Sequence, residues 1–177
     1  MVFRNFHLLL STLLLCLLLQ SCRSPWSIRP EGLRNLQLSS QMPGAEDQRF
    51  QGYQVSDTVL REEGYEWQTL IIHHAQGNVW VEADFFKGEV INRLRIETPE
   101  FHVKKKIRVG NVWKELQPMA AGWNLTYLPT HQRIDAYSSE FPGIHFLFPT
   151  KEAPNPSEAL SINSIPQDAE IVAIVVM

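Results

Sequence analysis

Apolar positions along the chain follow two regimes. Leu8 to Leu19 is a single apolar run broken only by Ser11 and Thr12. From residue 65 onward, apolar and polar residues mostly alternate with a period of two, as half-buried strands require. Tyr65–His74 reads as a strand, since Trp67, Thr69, Ile71 and Ile72 all suit a pleated surface. Ala75-Gln76-Gly77-Asn78 is a turn signal. Over Val79–Phe86 the residues Val79, Val81, Ala83 and Phe85 face one way, and Trp80, Glu82, Asp84 and Phe86 the other. Val90–Glu97 alternates again, with Val90, Leu94 and Ile96 opposite Ile91, Arg93, Arg95 and Glu97.

The register of this hairpin follows from its side chains. A two-residue turn at Lys87-Gly88 pairs Val81 with Leu94, Val79 with Ile96 and Phe85 with Val90 on one face. It pairs Glu82 with Arg93 and Trp80 with Arg95 on the other. A slip of one residue breaks both patterns.

Further along, Phe101–Val109 reads as a strand with Val103, Ile107 and Val109 inward. Asn111 is a fair N-cap for a short helix over 112–117, which Pro118 stops. Trp123–Leu128 is another strand, and Gln132–Tyr137 with Gly143–Phe148 forms a hairpin. Lys151–Ser157, with two prolines, is a loop. The unbroken apolar stretch within Glu170–Met177 predicts a strand buried on both faces, hence central. The expected class is α+β: a β-rich, mainly antiparallel sheet with one short helix. Residues 22–49 hold three prolines, two glycines and few large apolar groups, and read as a flexible tether ahead of a single domain over 50–177. Leu33 and Leu36 are spaced for one helical turn that docks on the domain.

The first regime changes the picture most. Arg4 precedes the apolar run, and small Ser21 sits just before Cys22. The run is too short for a membrane span, which needs roughly 20 residues. Leu19-Gln20-Ser21-Cys22 resembles the lipobox of bacterial lipoproteins, with Leu19 at −3, Ser21 at −1 and Cys22 as the lipidated residue. The resemblance covers residues 1–22. It implies removal of a signal peptide over 1–21, a diacylglyceryl thioether on Cys22 and a further acyl chain on its amine. Several chains anchor stably where one alone is marginal. Arg23 and Ser24 follow where an Asp would suggest inner-membrane retention, so the resemblance points to the outer membrane, facing the periplasm. Ile107–Leu116, a strand, a glycine and a short helix, looks like a pattern in small bacterial envelope lipoproteins and implies no activity by itself.

Composition narrows the function classes. The first 21 residues carry one arginine and no acid, which leaves 15 basic against 19 acidic side chains, a balance of −4. That argues against a general nucleic-acid binder. The two cysteines are Cys16 and Cys22, so a processed, lipidated domain has no free thiol, disulfide or thiolate metal site. No nucleophile-elbow, phosphate-loop, dinucleotide or HExxH motif occurs. His73 and His74 point to opposite faces of a strand and cannot easily share an ion, and His102, His131 and His145 are scattered. No metal or cofactor site is expected.

Three surfaces remain. The outward face of the first three strands carries Trp67, Trp80, Phe86 and Arg95, a binding face for a protein or a glycan unless another layer covers it. Lys104, Lys106 and Arg108 alternate on one expected strand, where they would contact anionic groups or form a solvated face. Glu82 and Asp84 share a face about 7 Å apart, by two strand steps, a spacing open to glycoside hydrolysis or to a surface ion pair with Arg93. The sequence thus points to a lipid-anchored envelope protein with a non-enzymatic binding or accessory domain. The alternative is an envelope hydrolase acting on glycans or peptidoglycan. Its partners are the membrane, through Cys22, and an envelope protein or glycan.

Overall fold

The computed structural model describes residues 27–62, 64–150, 153–154 and 159–177, with Lys105 described in its backbone alone. The signal and lipobox, residues 1–22, lie outside the described residues. A small hairpin, β1 (Gly32–Leu33) and β2 (Leu36–Gln37), precedes the main sheet. The sheet is built from β3 (Gln54–Glu62), β4 (Tyr65–His74), β5 (Gly77–Ala83) and β6 (Ile91–Ile96), then β7 (Asn124–Leu128), β8 (Arg133–Tyr137), β9 (Ile144–Pro149) and β10 (Ala173–Val176). Helix α1 (Trp113–Leu116) lies between β6 and β7. The eight main strands form one sheet in the order β3-β4-β5-β6-β10-β9-β8-β7, with every pairing antiparallel. The expected β-rich antiparallel class with a short helix holds at that level. The last strand is central, as its apolar run requires.

The β5–β6 register agrees with the side-chain pattern in its regular part. Val81 pairs with Leu94, Val79 with Ile96, Trp80 with Arg95 and Glu82 with Arg93. It departs at the turn, where Ala83 pairs with Ile91 across a register shift. The expected Lys87-Gly88 two-residue turn is instead a longer loop. Asp84 Oδ1 accepts the backbone N–H groups of Phe86 and Lys87, and the Asp84 N–H donates to the Val90 carbonyl. An aspartate that caps its own turn outcompetes the ladder here. Ile91 is thereby turned into the core, while Phe85 and Phe86 are exposed.

The expected strand over 101–109 is also replaced. Lys104–Lys106 is a 3-10 turn, with Lys106 at φ +65. A continuous strand would have put Lys105 on the same inward face as Val103 and Ile107, burying a charge. The turn lets Val103 and Ile107 stay buried, and the Val103 N–H donates to the Ile107 carbonyl at 2.7 Å to close its neck. Asn111 does not cap α1. Its Oδ1 accepts from the Arg108 N–H and its amide donates to Glu115.

Residues 27–50 run along the sheet and do not behave as a loose tether. Ile28, Leu33, Leu36 and Phe50 are buried, and the backbone of Ser39 and Met42 bonds to Ile91 and Glu89. Leu33 and Leu36 lie in the β1–β2 hairpin, not in a helical turn. This segment, together with Phe101, Val103, Ile107, Trp113, Leu116 and Ile165, covers the apolar face of the sheet. That face presents Leu70, Val81, Leu94, Ile134, Phe146 and Ile174, all at most 1% exposed. Trp113 anchors the second half, edge-on to Trp123 and Phe148, with its indole N–H donated to the Ile162 carbonyl.

The opposite face is concave. Eight flat strands would hold the edges roughly 34 Å apart at ~4.8 Å per step. Yet Glu62, at the end of edge strand β3, lies 3.5 Å from His131, three residues past edge strand β7. Glu62 shares its face with Leu60 and Thr58, so the sheet curls toward the side that bears Trp67 and Trp80.

Candidate functional site

The concave face of β4, β5 and β6 carries the same arrangement twice. Trp67 donates its indole N–H to Glu82 Oε2 at 3.1 Å, Arg93 Nε donates to that oxygen at 3.0 Å, and the Arg93 guanidinium lies 5.9 Å from the Trp67 ring centre. One strand over, Trp80 donates to Glu97 Oε2 at 2.8 Å, Arg95 lies 3.5 Å from Glu97, and its guanidinium is 4.2 Å from the Trp80 ring centre. Each unit is a tryptophan, a glutamate that takes its N–H, and an arginine that pairs with the glutamate and covers the ring. Strand alternation places all six on one face, and the pairings Trp80–Arg95 and Glu82–Arg93 bring them together.

The two units differ in burial. Glu82 is 1% exposed, and its second oxygen has no hydrogen-bond partner, nor has the hydroxyl of its cross-strand neighbour Thr69. Burial pushes the Arg95 guanidinium below its ordinary pKa; the carboxylates of Glu97 and Glu82 oppose this, and the positive charges of Arg93 and Arg133 reinforce it. Arg133 is on β8, three strands from Arg95.

A cavity of about 350 Å³ opens beside the first unit. Glu62, Tyr65, Trp67, Glu82, Phe85 and Arg93 line it, together with Ala83 and Asn92. Its rim is aromatic: Tyr65 and Phe85 rings are 4.9 Å apart, and Phe85 and Phe86 are 3.8 Å apart. A second, mainly apolar cavity of about 240 Å³ lies on the other face of the sheet, between residues 33–36, Phe50 and the sheet. His74 is in its wall, held by Glu100 at 3.0 Å between the Tyr53 and Phe101 rings. The first cavity offers convergent charge as well as aromatic surface, which makes it the stronger candidate of the two for a binding site.

Of the expected binding residues, Trp67, Trp80 and Arg95 come together on the concave face. Phe86 does not; it sits in the β5–β6 loop, 81% exposed. Lys104, Lys106 and Arg108 are not a row on one strand face, since the first two are in the 3-10 turn. Glu82 and Asp84 do not form a carboxylate pair, because Asp84 is turned to its own loop amides. His73 and His74 do take opposite faces: His73 contacts Ser56 and Asn78, His74 contacts Glu100. Among the described residues, no three His, Cys, Asp or Glu side chains converge as metal ligands.

One pair escaped sequence reasoning. On the other half of the concave face, His145 Nδ1 lies 2.8 Å from Asp135 Oδ2, with Tyr137 stacked on the imidazole. A continuous cross-strand row, Trp80–Arg95–Val175–His145–Tyr137, links this pair to the tryptophan units. The signal was the β8–β9 register, which puts Asp135 diagonal to His145.

No protein-family model matches the chain, and no curated protein matches it. Among solved structures, it is similar to the uncharacterized protein yfeY from Escherichia coli, with a TM-score of 0.65 at 11% identity, over 85% of this chain and 98% of that one. The likeness shows a shared fold. No described helix is long and apolar enough to cross a membrane.

Proposed function

We propose that the chain is a lipid-anchored envelope lipoprotein whose β-rich domain is a non-enzymatic binding module facing the periplasm. The anchor rests on the lipobox residues Leu19, Ser21 and Cys22. The outer-membrane placement rests on Arg23 and Ser24. The observation that carries the binding role is the cavity of about 350 Å³ walled by Trp67, Glu82 and Arg93 and rimmed by Tyr65 and Phe85. Exposed aromatic residues around a charged floor suit an anchor residue from a partner. Arg93 and Arg95 lie against the faces of Trp67 and Trp80 that a sugar would stack on. This favours a segment of an envelope protein over a glycan as the ligand.

Envelope hydrolase is the second reading. It needs one carboxylate free to move a proton and another near the scissile bond. Glu82 is held by Trp67 and Arg93, Glu97 by Trp80, and Asp84 by its loop, which weighs against it. The test is capture from detergent-solubilised envelope with the wild-type chain and with the rim variant Tyr65→Ala/Phe85→Ala. The binding reading expects a partner that the rim variant no longer retains. Equal capture by both chains contradicts it. Release of peptidoglycan fragments that depends on Glu82 would establish the hydrolase instead.

A further inference from the structure

The lysine turn and the beginning of the docked segment lie together. Ser27 bridges to His102, and the Ile28 N–H donates to the His102 carbonyl at 2.7 Å. Ser27 and Lys104 line one shallow cavity with Glu140 and Pro142. Lys104 and Lys106 are exposed on a turn pinned at both ends by buried Val103 and Ile107. Neither lysine has a carboxylate within ion-pair distance among the described residues, whereas neighbouring Arg29 is matched by Glu31 at 3.9 Å. Lys106 holds a positive φ, which costs a non-glycine residue energy, so the turn is held in place by its surroundings.

From these facts we infer that the surface around Ser27 and the Lys104–Lys106 turn rests against the anionic headgroups of the bilayer that holds the lipid. The inference rests on the lipoprotein reading. With Cys22 in the membrane, five peptide steps separate it from Ser27, a span of at most about 18 Å when fully extended. A loose tether over 22–49 would have let the domain range freely. A chain docked from Ser27 onward leaves only residues 23–26 between lipid and domain. The part of the domain nearest Ser27 therefore faces the membrane, and among the described residues Lys104 and Lys106 outnumber the one unpaired carboxylate beside them, that of Glu140. Basic residues at an anionic surface are each worth about fivefold in partitioning, equivalent to ~1 kcal/mol. The concave face lies on the other side of the sheet, so binding a partner there does not compete with the membrane.

The test uses the full lipidated chain in vesicles that contain anionic lipid and a headgroup-level quencher. A fluorophore is attached at Pro142→Cys, beside Ser27, or at Glu66→Cys, at the exposed start of β4. Acylation occupies Cys22, so each label is single. The expected result is quenching at position 142 several-fold above that at 66, with the excess lost in Lys104→Glu/Lys106→Glu. Thermal unfolding of that variant, unchanged from wild type, confirms an intact fold. Equal quenching at the two positions overturns the inference, and so does an excess that survives charge reversal. Mass spectrometry of the same sample keeps the two readings apart. An unacylated Cys22 removes the anchor itself, whereas an acylated Cys22 with equal quenching removes the docking surface alone.

Discussion

The indole N–H of Trp80 reaches Glu97 Oε2 at 2.8 Å, across strands that the sequence alone had paired through Trp80 and Arg95. This bond fixes the ring at a half-buried position, with Arg95 over it. Trp80→Ala should cost about 2 kcal/mol, less than the ~3–5 of a fully buried tryptophan. Trp80→Phe keeps the ring and loses only the hydrogen bond to a charged acceptor, so about 1–2 kcal/mol is expected. Urea unfolding of both variants measures the difference. A Trp80→Phe variant as stable as wild type would mean that the hydrogen bond contributes nothing.

Glu82 and Arg93 should respond unequally. Glu82 is almost wholly buried and the Arg93 side chain is 37% exposed. Arg93→Ala strands a buried carboxylate and should cost about 3 kcal/mol. Adding Glu82→Gln to that variant should restore part of the loss. A double-mutant cycle that shows simple additivity contradicts the pairing.

Gly77 opens β5 at φ +146, and a Cβ there would collide with the Glu97 carbonyl. Gly77→Ala should lower stability by about 2 kcal/mol or more, through backbone strain together with the clash. A thermal midpoint unchanged from wild type would show that the turn can shift.

Asp47 gives a pH signature. Hydrogen bonds from the Arg49 side chain and backbone hold its carboxyl at about 2, below its ordinary 3.8. A depressed folded-state pKa stabilises the fold above the unfolded value, so the contribution is complete above about pH 4–5 and fades as pH falls toward 2. NMR titration of the carboxyl carbon should place the midpoint near 2 in wild type and nearer the ordinary value in Arg49→Ala. Identical midpoints contradict the clamp.

The strands legible in the sequence were those with one apolar and one polar face. β4 was bounded as Tyr65–His74, and four β5–β6 pairs were fixed by matching charge and apolar rows. β3 was not seen, because it is an edge strand half in solvent and Val55, Asp57 and Val59 mix on one face. The lysine turn was misread as a strand because alternation was counted without the cost of an inward Lys105. The docking of residues 27–50 depended on scattered anchors, Ile28, Leu33, Leu36 and Phe50, that carry no period. At the site, strand alternation put Trp67, Trp80 and Arg95 on one face. That arginines cover both rings depends on curvature and rotamers, which no linear pattern encodes.

The proposed anchor is tested most directly by the intact mass of the protein extracted from membranes. The account predicts a chain that begins at Cys22, with residues 1–21 removed and the mass of a diacylglyceryl group plus an acyl chain added. Cys22→Ser should lose both the added mass and membrane retention. A wild-type chain that keeps residues 1–21, or is cut elsewhere and carries no lipid, would contradict it.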